Sequence, residues 1–260
     1  MAYDFITVAR EGPLTLLTLN RPDVMNALHA PAHAEMAHAL DAFRDDPEQW
    51  VMILTGAGDR AFSAGNDLKW QAGGGEMRTP PSGFAGLTSR FDLAKPLIAA
   101  VNGVAMGGGF EIALACDLII ASETAVFALP EPRVGLAALA GGLHRLPRAI
   151  GLKRAMGMIL TGRRVSAREG LELGFVNEVV APADLMSAAR RWASAILELS
   201  PMSVRASKAA VLRGLDEPSL AAAISGQSRY EEVAALFRSQ DFIEGPRAFA
   251  EKRPPRWSGK

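Results

Sequence analysis

The chain has 260 residues, enough for one sizeable core with a smaller extension, and its 49% hydrophobic and 22% charged content excludes a disordered chain. Lys+Arg and Asp+Glu both number 28, so the charge balance offers no basic footprint for nucleic acid or an anionic membrane surface. A single cysteine, Cys116, excludes an intrachain disulfide framework and a cysteine-based zinc site, and fits a reducing, cytoplasmic setting. The segment Met1 to Val8 lacks a basic region followed by an apolar core, so no secretory leader is expected. Phe5 to Ala9 and Leu14 to Leu19, joined across Glu11-Gly12-Pro13, predict a β-hairpin. A loop over 20–30 leads to a helix from Pro31 to Phe43, with apolar spacing at Ala32, Met36, Leu40 and Phe43. Trp50 to Thr55 reads as a buried strand, and Phe62 to Leu68 turns from it into a short helix. Residues 71–84 are rich in Gly, Pro and Ser and read as an excursion at the side of a pocket or as a plain loop.

The longest apolar stretch, Leu97 to Ala121, is interrupted by Asn102, three glycines, Glu111 and Asp117, which predicts a buried strand–turn–helix and no membrane span. Strands are expected at 97–101, 118–121, 126–128 and 176–180, with a helix from Gly109 to Cys116. Strands alternating with helices indicate an α/β fold. After Pro201 the chain reads as helices only, at 202–212, 219–237 and 243–252. The division expected is therefore 1–200, an α/β core with the active site, and 201–260, a helical region that docks onto another subunit. Met156, Met158, Trp192 and Phe237 sit at plausible core positions.

Two features carry chemistry. Gly107-Gly108-Gly109 offers bare backbone N–H groups where a helix begins, which suits either a tight strand-to-helix turn or a seat for a developing negative charge. It is no nucleotide fingerprint, because no Gly-x-Gly-x-x-Gly pattern or phosphate-loop lysine accompanies it. Glu111 follows in the first helical turn among Ile112, Ala113, Leu114 and Ala115, so its carboxylate is expected to be buried and in need of a partner or a function. A second carboxylate, Glu131, follows in Ala128-Leu129-Pro130-Glu131. His29 and His33 are read as solvated residues at a helix start, with no third ligand for a metal. The Ser63-Ala64-Gly65 stretch lacks the nucleophile elbow of a serine hydrolase.

Taken in combination, these motifs resemble the crotonase (enoyl-CoA hydratase/isomerase) family. The likeness rests on Lys95 to Glu111, on Ala61-Phe62-Ser63-Ala64-Gly65-Asn66-Asp67-Leu68-Lys69, and on Arg145-Leu146-Pro147-Arg148 with Leu160-Thr161-Gly162-Arg163. Gly174 to Val180, Ile243-Glu244-Gly245 and Phe249 to Arg253 complete it, so it spans nearly the whole chain. The resemblance implies a spiral of ββα units with a C-terminal helical trimerisation region, assembled as a homotrimer or a hexamer made of two trimers. It implies an acyl-CoA thioester substrate, with no metal and no separate cofactor, coenzyme A being part of the substrate. It assigns an oxyanion hole to the N–H groups of Asn66 and Gly108, and coenzyme A contacts to Met25, Ala27, Ala64, Asp67, Leu68 and Lys69. Lys252 is assigned to a coenzyme A phosphate, from an adjacent subunit.

Glu111 and Glu131 match the pair with which the hydratases add water across the C2=C3 bond of a trans-2-enoyl-CoA. Glu111 is implied to deprotonate the water and Glu131 to protonate C2. A Δ3,Δ2-enoyl-CoA isomerase needs only one of them, and a non-catalytic acyl-CoA-binding or RNA-binding scaffold needs neither. A tyrosine-dependent relative is disfavoured because Tyr3 and Tyr230 lie far from these motifs. Two departures stand out. Leu129 replaces the usual glutamine before Pro-Glu, and Ala138-Leu139 replaces a proline and glycine, which places Leu139 in the acyl pocket. Ala128 to Glu131 and the C-terminal segment are most similar to the carnitinyl-CoA dehydratase branch.

Overall fold

The computed structural model describes residues 3–260; the leader expectation rests partly on Met1 and Ala2, which lie outside them. In chain order the strands are β1 (Ile6–Glu11), β2 (Leu14–Leu19), β3 (Val51–Gly56), β4 (Ala61–Ser63), β5 (Leu97–Val101), β6 (Val104–Met106), β7 (Leu118–Ser122), β8 (Val126–Ala128), β9 (Val165–Ser166) and β10 (Glu178–Val180). The helices are α1 (Ala30–Asp45), α2 (Leu68–Ala72), α3 (Gly108–Ala115), α4 (Gly142–Ile150), α5 (Leu152–Thr161), α6 (Ala167–Leu173), α7 (Leu185–Leu197), α8 (Pro201–Gly214), α9 (Leu220–Gly226), α10 (Glu231–Arg238) and α11 (Gln240–Ala250).

A six-stranded sheet runs β1-β2-β3-β5-β7-β10, antiparallel only in the β1–β2 hairpin, and a four-stranded sheet runs β4-β6-β8-β9. The large sheet is covered on both faces, as parallel strands require. All six residues of β3 are buried, and alternate side chains serve opposite layers. Met52 and Leu54 join Leu97, Ala99, Val101, Ile119 and Ala121 in the main core with α1 and α3. Val51 and Ile53 join Ile98, Ala100 and Ile120 beneath Leu185, Ala188, Ala189 and Ala193 of α7.

The chain repeats one step: a strand in the large sheet, a corner, a short strand in the small sheet, then a helix. β3-β4-α2 and β5-β6-α3 take this step directly, and β7-β8 takes it with a longer path to α4. This is the spiral of ββα units expected from the resemblance. Asn102 holds one corner, its Nδ2 donating to Gly56 O (3.0 Å) and Gly58 O (2.8 Å) while its Oδ1 accepts from Gly56 N (3.3 Å). Because β4, β6 and β8 run parallel side by side, their C-terminal ends share one edge of the small sheet. The chain leaves that edge at 64–67, 107–108 and 129–131, so residues far apart in sequence are delivered to one place.

Several expectations need correction. The small sheet was legible only at β8, since β4, β6 and β9 are two or three residues long and show no periodicity. The helix expected over 219–237 is two, α9 and α10, separated by a 3-10 turn at 227–229 and by Tyr230, whose extended backbone precedes α10. Met158 is buried and Trp192 packs on the α7 layer, but Met156 and Phe237 are exposed. The C-terminal helices attach to the core through Lys208, whose Nζ donates to Lys95 O (2.9 Å) and pairs with Asp117 (2.7 Å). They leave Val211, Leu215, Leu220, Ile224, Ile243 and Phe249 exposed. No helix among the described residues is long and apolar enough to cross a membrane.

Candidate active site

The glycine turn sits where β6 becomes α3. Gly107 has φ +53° and ψ −124°, outside the range of ordinary L-residues, and its N–H donates to Ala128 O (2.9 Å). A Cβ on Gly109 would collide with the carbonyl oxygen of Ser63, so only glycine lets α3 approach β4 this closely. Gly65 lies against the same turn, its hypothetical Cβ falling 2.7 Å from Gly108 N.

The facing loop is held by its own network. Ala64 N donates to Met25 O (2.9 Å), Leu28 N to Gly65 O (2.8 Å) and Asp67 N to Leu28 O (2.9 Å). Ser63 Oγ donates to Asn26 O (2.8 Å) and accepts from Gly65 N (3.1 Å). Met25 and Asn26 both adopt left-handed backbone, stabilised by Asn26 Nδ2 donating to Ala61 O (2.8 Å). These bonds engage the N–H groups on either side of Asn66 but not its own. Among the described residues neither Asn66 N–H nor Gly108 N–H has an acceptor. Two backbone donors from adjacent turns, one of them at a helix N-terminus, therefore remain for an incoming oxygen.

The two carboxyl groups flank these donors. Glu111, only 3% exposed, lies in the first turn of α3, and its Oε1 accepts from Gly142 N at the start of α4 (2.8 Å). Burial pushes its carboxyl up to about 7, against the pull of the Gly142 N–H and with the charge of Glu131 adding to the rise. Glu131 follows β8 in a 3-10 turn, and its Oε1 would lie 2.9 Å from a Cβ on Gly107. Burial raises its carboxyl too, and its Oε2 is buried with no partner among the described residues. Raising Glu111 has a sign for stability: the folded state holds its proton more tightly than the unfolded chain, so this contribution is present below the usual glutamate range and is lost as pH climbs toward 7.

The expected site residues divide clearly. Asn66, Gly108, Glu111 and Glu131 are brought together, and Met25, Ala27, Ala64, Asp67, Leu68 and Lys69 lie on the paired loops beside them, with Leu68 and Lys69 exposed. Asp67 caps α2 by accepting from Trp70 N and pairs with Arg21 at 3.0 Å. Lys252, after α11, is exposed with a left-handed backbone. Leu139, expected in the acyl pocket, is 81% exposed in the single chain. Two apolar groups border the site: Leu129, whose Cδ1 lies beside Gly142 on the side of Glu111, and Phe84, whose ring covers Gly108.

Phe84 was not singled out in the sequence, beyond ending the 71–84 excursion, and its placement overturns the reading of the histidines. His29 and His33 are 5% and 2% exposed, not solvated, because α1 starts beneath the aromatic loop residues. His29 lies edge-on between Phe5 and Trp70, and His33 meets Phe84 edge-on with centroids 4.5 Å apart. His33 Nδ1 accepts from Ala85 N (3.0 Å), which pins Ala85 at φ +54° and so fixes Phe84 over the glycine turn. Burial depresses the His33 imidazole to about 4, so its stabilising effect is complete above the usual histidine range and is lost as pH falls toward 4. Replacing His33 by Leu leaves the Ala85 N–H unpaired. Urea unfolding at pH 7 is expected to show a loss of about 1–3 kcal/mol and a weaker dependence on pH between 4 and 6.5 than in the parent. An unchanged midpoint would show that this bond holds nothing.

A sequence profile of the enoyl-CoA hydratase/isomerase family matches residues 9–260. Carnitinyl-CoA dehydratase from Salmonella arizonae is 45% identical over 259 residues, covering 98% of each chain. The crystal structure of an enoyl-CoA hydratase from Mycobacterium tuberculosis H37Rv superposes with a TM-score of 0.92 at 38% identity, covering 98% of this chain and 99% of that one. An enoyl-CoA hydratase from Mycobacterium marinum gives a TM-score of 0.92 at 40% identity, with the same coverage.

Proposed function

This chain belongs to the enoyl-CoA hydratase/isomerase family, and we propose that it is a hydro-lyase adding water reversibly across the C2=C3 bond of a trans-2-enoyl-CoA. The observation that carries the reading is the placing of two carboxyl groups, both shifted upward by burial, beside two backbone N–H groups that have no acceptor among the described residues. The thioester oxygen would accept from Asn66 N–H and Gly108 N–H. Water held between the carboxyl groups gives its proton to Glu111 as its oxygen bonds to C3, and the π electrons move onto the thioester as an enolate. Glu131 then protonates C2, the enolate electrons forming the C–H bond. The charge that develops on the thioester oxygen lies where the two donors point, which lowers the barrier more than it tightens substrate binding.

Met25, Ala27, Ala64, Asp67, Leu68 and Lys69 would line the coenzyme A path, with Lys252 contributed by a neighbouring subunit. The exposed apolar side chains of the C-terminal helices support a trimer or a pair of trimers, which light scattering would resolve. The single buried thiol, Cys116, suits a cytoplasmic protein.

Crotonyl-CoA loses ultraviolet absorbance when its conjugated double bond is hydrated, and the protein should bleach it. Conversion of a 3-enoyl-CoA with crotonyl-CoA untouched would replace hydration by isomerisation. The likeness to carnitinyl-CoA dehydratases favours a second reading, the same step run in reverse on a charged acyl group. A faster reaction with carnitinyl-CoA than with 3-hydroxybutyryl-CoA would select it.

A further inference from the structure

Nothing in the reaction scheme accounts for how firmly the aromatic loop over the glycine turn is held. Phe84 opens a turn over 84–88 in which Gly86, at φ +61°, approaches α1 so closely that a Cβ would fall 2.4 Å from Ala37 Cα. Ala85, at φ +54°, is fully buried in a left-handed backbone that L-residues keep only under constraint. The constraint is the bond from its N–H to His33 Nδ1 (3.0 Å), and the His33 ring also braces the Phe84 ring edge-on. A ligand cannot push Phe84 aside without undoing these contacts.

The same turn spans from the oxyanion donors to the acids. At one end, a Cβ on Gly108 would fall 2.5 Å from Cε1 and 2.6 Å from Cζ of Phe84, so the ring stands against the residue whose N–H awaits the thioester oxygen. At the other end, Thr88 O accepts from Arg145 Nη2 (2.8 Å) and lies 4.0 Å from the Cβ position of Gly141. The next residue, Gly142, supplies the N–H that holds Glu111. The loop at 64–69 reaches the glycine turn separately, through Gly65, whose Cβ position is 2.7 Å from Gly108 N. Residues 85–88 are buried, whereas Phe84 is only half-buried, so its ring still presents apolar surface beside Gly108.

Resting on the reading of this cleft as an acyl-CoA site, we propose that Phe84 is a specificity-determining residue that admits acyl groups unsubstituted at C2 and rejects those branched there. With the thioester oxygen on Asn66 N–H and Gly108 N–H, the sulfur leaves toward the 64–69 loop and C2 lies toward the acids, along the ring. C2 is one bond from the carbonyl carbon, so a methyl on it stays beside Gly108 and meets Phe84 whatever the rest of the chain does. A straight chain lengthened at C4 and beyond leaves the ring behind. A side chain pinned by His33 and by a buried turn cannot yield to an extra methyl without strain.

Calorimetric binding of butyryl-CoA and 2-methylbutyryl-CoA to the full-length protein isolates the effect, because neither thioester has a double bond to hydrate. The parent should bind butyryl-CoA more tightly by about 10–200-fold, the worth of one methyl in a fitted apolar pocket. Phe84→Ala should bring the two close to parity. Phe84→Leu, which keeps apolar bulk without the ring, should fall between them and decides the matter if Phe84→Ala does not fold. A ring that only holds the turn together would weaken both thioesters alike and leave their ratio at the parent value, which overturns the proposal. Equal binding of both by the parent overturns it too, as does a gain confined to octanoyl-CoA, which would assign Phe84 to chain length. Failure to bind any of these thioesters would remove both the acyl-CoA reading and this one. The readout needs no turnover, so a protein that binds them but hydrates no enoyl-CoA would defeat the proposed function and still leave the affinity ratio decisive.

Discussion

Glu111→Gln and Glu131→Gln are each expected to lower kcat for enoyl-CoA hydration by about 10²–10⁴, the usual worth of a positioned acid or base. Neither change should disturb the fold. A glutamine at 111 keeps a carbonyl oxygen for the Gly142 N–H and removes a charge that its surroundings disfavour. At pH 8, where Glu111 is ionised in both folded and unfolded chains, its burial is a cost, so Glu111→Gln should unfold no earlier than the parent. The double variant should lose far less than the product of the single losses, because the two groups act on one water and share one proton. Full retention of turnover in either single variant would remove the glutamate pair from the mechanism.

The same pair sets the pH response. Its working state holds one proton, and two carboxyl groups in a dry pocket give up their protons in separate steps. With burial pushing Glu111 up to about 7, the doubly ionised state takes over as pH rises through that value. The rate should therefore peak below it and decline on the alkaline side, with a second decline at lower pH where both groups are protonated. A profile flat from pH 5 to 9 would show that neither ionisation reaches the reaction.

What the sequence made legible follows from length and from chemistry. β3 and β5 are six- and five-residue strands built on apolar runs, and the β1–β2 hairpin is marked by its turn residues, so local pattern located them. β4, β6 and β9 are too short to carry a period, and only their pairing in the small sheet defines them. Glu111 could be found because a carboxylate in an apolar helix start is costly without a purpose. Its neighbours could not: Gly142 is 31 residues away and Phe84 is 24 residues before Gly108, and nothing local marks either as part of one site. The histidines were misread for the same reason. Their burial depends on Phe5, Trp70 and Phe84, which the spacing around Pro31 does not announce.

The oxyanion donors permit a sharper test than the acids, since a backbone N–H can be removed only by proline. Gly108 is the first residue of α3, a position where proline's fixed φ is compatible with a helix and the lost N–H breaks no helical bond. The obstacle is steric, because a Cβ there would lie 2.5 Å from Phe84 Cε1. Phe84→Ala clears that space, so the informative comparison is Gly108→Pro/Phe84→Ala against Phe84→Ala alone. Loss of one donor to the developing oxyanion should lower kcat by about 10²–10³, or roughly 2.7–4 kcal/mol, while KM changes little. That split follows from where the charge appears: the carbonyl of the bound thioester accepts weakly, and the enolate oxygen accepts strongly. If the pair of variants hydrate crotonyl-CoA at equal rates, Gly108 N–H does not meet the reacting oxygen. The glycine turn would then serve only to let α3 pack against β4.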